Sequence, residues 1–237
     1  MKLYIVATPI GNLEDITYRA VRILGEVDYV LCEDTRVTSR LLERYEIKKP
    51  LFSYHQRSKQ NKTEQIIEKL KTGSDLALVT DAGTPGISDP GNELVSAVRQ
   101  EMKIEIESGE MQIIPIPGAS ALITLASVAG INLQKFIFLG FPPNKKGRQT
   151  FFKEIVKNIK KSDYPVFYYD SPYRVVKNLQ LLQEFVPDVR VIVGRELTKK
   201  FEEIKIGSVG EVLEYYDGEW QGKLKGEFVI LLQSLKF

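Results

Sequence analysis

The sequence is poor in the residues that build covalent cross-links and metal centres, with one cysteine, Cys32, and one histidine, His55. A lone cysteine forms no intrachain disulfide, and a zinc cluster lacks its Cys or His donors, so a reducing cytoplasm is expected and no metal site. Long apolar runs are missing too. Met1 to Val6 is apolar for too few residues to be a signal peptide, Thr8-Pro9 ends it, and nothing approaches a membrane span. Neither charge dominates, with 33 Lys and Arg against 31 Asp and Glu and a net charge of +2. That balance does not announce nucleic acid, nor does it exclude it, because affinity follows local clusters. Such clusters occur at Lys48-Lys49, Lys145-Lys146-Arg148, Lys157 to Lys161 and Lys199-Lys200. There is no G-x-x-x-x-G-K-[ST] and no G-x-G-x-x-G after a strand, which disfavours polyphosphate and dinucleotide ligands.

What is present is a chain of 237 residues, 43% hydrophobic, without repeats or low-complexity tracts, long enough for a full core. Short β-branched runs alternate with segments of helical period, the pattern of βαβ units around a parallel sheet. Strands are predicted over residues 2–7, 29–32, 51–54, 76–80 and 113–116, with helices after Asp15 as a cap and over 38–45, 63–70 and 93–102. Pro115 to Gly118 punctuates the chain, which places a boundary between an α/β domain of residues 1–116 and a second of 117–237. In the second half, helices are predicted over 119–129, 149–159, 173–185 and 209–216. Strands over 136–141, 166–169, 189–193, 203–206 and 226–232 alternate with them, giving a mixed sheet.

Three turns leave the carboxyl ends of predicted strands, where open α/β sheets bind ligands. Thr8 to Asn12 is the first, Thr80 to Gly91 the second and Pro117 to Ala121 the third. The second crowds Gly83, Pro85, Gly86, Pro90 and Gly91 around the carboxylates Asp81 and Asp89. A loop so bare lets a ligand lie against main-chain groups, although Pro and Gly also cluster in inert connections. Glu33-Asp34 reads equally as a solvated strand end, with Arg36 either its ion-pair partner or a phosphate contact. Cys32 reads as a small buried hydrophobe, His55 as a local hydrogen-bonding residue, and Tyr168, Tyr169 and Tyr173 as core or pocket lining.

Together the stretches Thr8 to Thr17, Cys32 to Arg36, Asp81 to Gly91, Pro117 to Ala121, Gly140 to Lys145 and Arg195 to Lys199 resemble the ribosomal small-subunit RNA 2′-O-methyltransferase family called RsmI, within the tetrapyrrole methylases. The resemblance implies a two-domain α/β fold with S-adenosyl-L-methionine between the lobes, and a homodimer. The implied acceptor is the ribose 2′-hydroxyl of a cytidine in the decoding region of 16S rRNA. It implies cofactor contacts at Ile10, Gly11, Gly83, Thr84, Ile87, Ala119, Ser120, Ala121, Tyr169 and Glu227. RNA contacts are expected at Arg36, Lys145, Lys146, Arg148 and Arg195, and a base among Asp81, Glu196 and Lys199. A carboxylate, or a lysine of lowered pKa, would take the hydroxyl proton as it attacks. Two departures stand out: Tyr169-Asp170-Ser171-Pro172-Tyr173-Arg174 replaces an aromatic-Glu-x-Pro-His-Arg stretch, and a C-terminal extension of many relatives is missing after Phe237. The competing readings are a methylase of the same fold acting on a tetrapyrrole or a protein, and a catalytically silent RNA-binding module.

Overall fold

The computed structural model describes residues 1–54, 59–162, 164–218 and 224–235, so His55 lies outside the described residues. The chain divides into two compact units, Met1–Ser120 and Ala121–Phe237. The division follows Ser120 rather than Ile116 because the intervening turn packs on the first unit. A Cβ at Gly118 would sit 3.0 Å from the Ala7 Cβ, and the Thr84 hydroxyl donates to the Ala119 carbonyl at 3.2 Å.

The first unit holds β1 (Lys2–Val6), β2 (Tyr29–Cys32), β3 (Leu51–Ser53), β4 (Leu76–Leu78) and β5 (Gln112–Ile116), in the order β3-β2-β4-β1-β5. Every pairing is parallel. Strands buried on both faces need apolar residues on both, and β1 shows it. Leu3 joins Leu31, Leu76, Leu94 and Val98 on one side, while Tyr4 and Val6 meet Ala20, Ile23 and Leu24 on the other. The helices are α1 (Tyr18–Glu26), α2 (Thr35–Arg44), α3 (Lys59–Lys71), α4 (Gly91–Glu101) and α5 (Lys103–Glu107). Asp15 does not cap α1. It ends a 3-10 turn, Leu13–Asp15, and the Thr17 side chain accepts the Ala20 amide instead. Asp34 caps α2 by accepting from the Arg36 amide, so that helix begins before Thr38.

The second unit holds α6 (Ala121–Val128), β6 (Ile137–Phe138), α7 (Arg148–Ser162), β7 (Val166–Asp170), α8 (Val175–Phe185), β8 (Val189–Arg195), β9 (Glu203–Ser208), α9 (Val209–Gly218) and β10 (Phe228–Ser234). The sheet order is β6-β7-β10-β8-β9, mixed as expected. β6 and β7 are parallel, β10 is antiparallel to both β7 and β8, and β9 is antiparallel to β8. Helices α7, α8 and α9 bury Phe152, Ile155, Leu179, Leu182, Val212 and Tyr216 on one face of this sheet. Among the described residues no helix is long and apolar enough to cross a membrane.

Candidate active site

Strands β4, β1 and β5 are neighbours, so the three turns that leave their carboxyl ends lie side by side. Main-chain bonds join the first two turns: the Thr8 amide donates to the Gly83 carbonyl at 2.9 Å and the Gly83 amide returns to the Thr8 carbonyl at 3.1 Å. The Thr8 hydroxyl adds a bond to the Thr80 carbonyl at 3.0 Å. Gly83 has φ +84°, and a Cβ there would stand 3.4 Å from the Ile10 side chain and 3.7 Å from the Ala119 carbonyl. Glycine at this point therefore lets three turns converge without a side chain between them. Asp89 serves its own loop: its carboxylate accepts from the Gly86 amide at 2.8 Å and the Gly91 amide at 2.7 Å.

Carboxylates border the cradle on the β2 side. Glu33 accepts a 2.6 Å hydrogen bond from the Thr80 hydroxyl, and Asp81 accepts from the Asp34 amide at 3.1 Å. Partial burial pushes the pKa of Glu33 up against the opposing Thr80 bond, and the charges of Asp81 and Asp89 add to the rise. Asp81 is also raised, first by burial and then by the charge of Asp34, against the Asp34 amide bond. Asp34 behaves oppositely, held down at about 2 by the Arg36 guanidinium. That guanidinium grips it at 3.0 Å through Nε and 2.6 Å through NH2. Arg36 is thus the ion-pair partner of Asp34, and its side chain stays 84% exposed.

In the second unit, Glu196 sits at the end of β8 in a left-handed backbone, φ 49°. Its Oε1 accepts from Lys199 Nζ at 2.9 Å and from the Glu227 amide at 3.0 Å. Lys199 Nζ also reaches Glu227 Oε2 at 3.0 Å. Burial disfavours the ammonium, but the bonds to Glu196 and Glu227 outweigh it and raise the Lys199 pKa above the ordinary lysine value. Burial likewise works against the Glu196 carboxylate, yet the Lys199 bond wins and lowers its pKa. At the end of β7, Asp170 is buried, accepting from Asn178 Nδ2 at 2.8 Å and the Ser171 amide at 2.8 Å. Burial raises it to about 6 despite those bonds. Next to it, Arg174 donates to the Ser171 hydroxyl, the Pro142 carbonyl and Asn144 Oδ1, tying down the turn before α7.

The profile of the Tetrapyrrole (Corrin/Porphyrin) Methylases matches residues 2–213. Over 234 residues the chain is 40% identical to the Ribosomal RNA small subunit methyltransferase I of Thermotoga maritima, covering 98% of each. It is 39% identical over 232 residues to the protein of that name from Bacillus subtilis, covering 98% of this chain and 75% of the other. The chain belongs to this methyltransferase family. Solved structures share the fold at low identity. The methyltransferase CobJ superposes with TM-score 0.68 at 17% identity, covering 98% of this chain and 94% of that one. A diphthine synthase gives 0.67 at 15%, covering 98% and 90%.

For a methyltransferase of this family, the sequence-predicted site residues fall into distinct surroundings. Ile10, Gly83, Thr84 and Ala119 are brought together in the cradle. Gly11 and Ile87 lie on exposed turns, Ile87 at 45% exposure, while Ser120 and Ala121 are half-buried where α6 begins. Tyr169 is half-buried against Phe141, ring centroids 5.2 Å apart, and the Glu227 side chain is largely exposed. Lys145 and Lys146 are exposed and Arg148 half-buried at the start of α7. Arg195 is 5% exposed, donates through Nε to the Lys225 carbonyl at 2.9 Å, and lies 3.9 Å from Glu203. Lys199 is held between Glu196 and Glu227, and those bonds raise its pKa, the direction opposite to that of a lysine of lowered pKa. Cys32 is buried, as a strand hydrophobe should be. The sequence reading placed Thr8 in the first turn but missed Asn178. Asn178 had a signal, a polar residue three positions after Val175 on the face of α8 that also buries Leu179 and Leu182.

Proposed function

We propose that the chain transfers the methyl group of S-adenosyl-L-methionine to the ribose 2′-hydroxyl of a cytidine in the decoding region of 16S rRNA within the small ribosomal subunit. The observation that carries this is the juxtaposition at the carboxyl ends of β4, β1 and β5 of a side-chain-free cradle with carboxylates of raised pKa. The names of the relatives point to small-subunit ribosomal RNA, and the sequence resemblance implies the cytidine 2′-hydroxyl as acceptor. The cradle fits the cofactor because Gly83, Ile10 and Ala119 leave main-chain edges and one apolar wall, the surface an adenosine and an amino-acid moiety require. When bound, the cofactor supplies an electrophilic methyl group on a sulfonium with a good leaving group. The chain must then hold the hydroxyl in line and take its proton. Asp81 is the group we assign to that proton, since a carboxylate of raised pKa accepts it more readily than an ordinary one. Thr84, Ile87, Gly11, Ser120 and Ala121 complete the proposed cofactor contacts, with Tyr169 and Glu227 carried by the resemblance alone. Glu196 and Lys199, locked to each other, hold charge in place. Arg36, Lys145, Lys146 and Arg148 are the cations proposed for RNA.

Labelled cofactor offered with undermethylated small subunits, naked 16S rRNA and small tetrapyrroles tests the proposal. Label at a cytidine 2′-oxygen of the subunit is expected, and label only on a tetrapyrrole overturns it. Calorimetry without RNA should show the cofactor binding, whereas a silent RNA-binding module gives no heat. The working form is proposed to be a cytoplasmic homodimer. Edge strand β9 exposes Ile204 and Ile206 by 39% and 41%, surface that a second copy would cover. Sedimentation equilibrium should return twice the chain mass.

A further inference from the structure

The solvent face of α7 carries charge that no ion pair among the described residues uses. Wound at about 100° per residue, the helix places Lys153, Lys157, Lys160 and Lys161 within an arc of roughly 100°. All four are exposed. That arc lies opposite Phe152, Ile155 and Ile159, the residues α7 buries on its sheet. Glu154, the one acidic residue of the helix, stands at the edge of the arc. Among the described residues none of the four lysines enters an ion pair, unlike Arg22 with Glu26 at 2.7 Å or Lys103 with Glu107 at 3.7 Å. The helix dipole gives a reason for Lys160 and Lys161 in the last turn, but none for Lys153 and Lys157 in the middle.

Position adds a second argument. The turn preceding α7 carries exposed Lys145 and Lys146, follows the carboxyl end of β6, and is tied by Arg174 beside the carboxyl end of β7. From there the lysines step along the helix axis by about 6 Å or less, over a helix about 22 Å long. A line of cations at such steps, backed by a rigid helix and with one acidic residue, Glu154, at its edge, suits a polyanion of regular charge spacing.

We propose that the outer face of α7, continuing from Lys145 and Lys146, is a phosphate track that grips RNA flanking the methylated nucleotide. This rests on the reading of the chain as an RNA methyltransferase. The track contributes affinity and register without reading sequence, as backbone contacts do.

The test is a variant carrying Lys153→Gln, Lys157→Gln, Lys160→Gln and Lys161→Gln, exchanges that keep helix propensity. A control removes the same number of charges at Lys48, Lys49, Lys71 and Lys103. Filter binding to small ribosomal subunits is measured from about 50 to about 200 mM salt. For the parent and the control, log Kd should rise with log salt at one common slope, while the α7 variant loses roughly three from it. Its KM for subunits should rise at least about tenfold with kcat within about twofold, the signature of lost uniform binding. A slope equal to the parent's, or an equal loss in the control, overturns the track. If the parent itself neither binds nor methylates subunits, the functional reading falls with it; if the parent does both and only the slope fails to change, the track alone is overturned.

Discussion

Asp81 makes a pH-dependent prediction, because a base works only without its proton. Its pKa is raised by burial and by the charge of Asp34, so kcat/KM should fall as pH drops through a value above the ordinary 3.8 of a free aspartate. Asp81→Asn should cost on the order of 10²- to 10⁴-fold in kcat and remove that acidic limb, with cofactor affinity by calorimetry unchanged. An unchanged limb would move the role to another group. Arg195 makes a different prediction, since its guanidinium is enclosed with Glu203 and the Lys225 carbonyl. Arg195→Met should lower stability by about 1–3 kcal/mol in urea titration, because the Lys225 carbonyl loses its donor and the half-buried Glu203 a nearby cation. A residue's chemical type was legible in the sequence, but its burial was not. Asp81 and Arg195 both stand in resemblance motifs at the carboxyl end of a strand, and only the packing sends one to the cradle and the other to the interior.

At the scale of elements, the buried pair at the end of β7 couples folding to pH. Burial lifts Asp170 to about 6 against its bonds to Asn178 and Ser171. The folded pKa lies above the unfolded value, so the native state holds the proton more tightly. This group therefore favours folding fully at low pH, and the benefit is lost as pH rises from about 4 through about 6. With roughly two units between the states, Asp170→Asn should gain up to about 3 kcal/mol on the parent between pH 4 and pH 7, read from paired denaturation curves. A difference that stays flat with pH would show that the carboxyl does not titrate there. Gly226 is a second sensitive point, with φ +108° and a Cβ that would fall 2.5 Å from the Glu196 Cγ. Gly226→Ala should displace Glu196 and break its bond to Lys199, visible as lost stability. Strands and long helices were legible because apolar period and Gly or Pro breaks agree locally, as in Tyr29–Cys32 and Val209–Gly218. The short α5 was not legible, because five residues give too little period. The true caps Thr17 and Asp34 were missed because several polar residues compete at each helix start.

At the scale of the whole molecule, each unit owns its hydrophobic core: Leu3, Leu31 and Leu76 stand in clusters of the first, Tyr168, Val193 and Ile230 in that of the second. A fragment of residues 1–120 should therefore fold alone, with helical circular dichroism and one cooperative urea transition. The two sheets also differ in which part of the chain completes them. In the first, the latest strand, β5, docks at an edge, whereas in the second β10 lies between β7 and β8. During synthesis the first unit can close as soon as its last strand emerges. The second has to wait, with β7 and β8 lacking the strand that joins them, until residues 228–234 leave the ribosome. Until then a slot the width of one strand stays open at the centre of the sheet, a place where another chain's strand, or a chaperone, would find unpaired backbone.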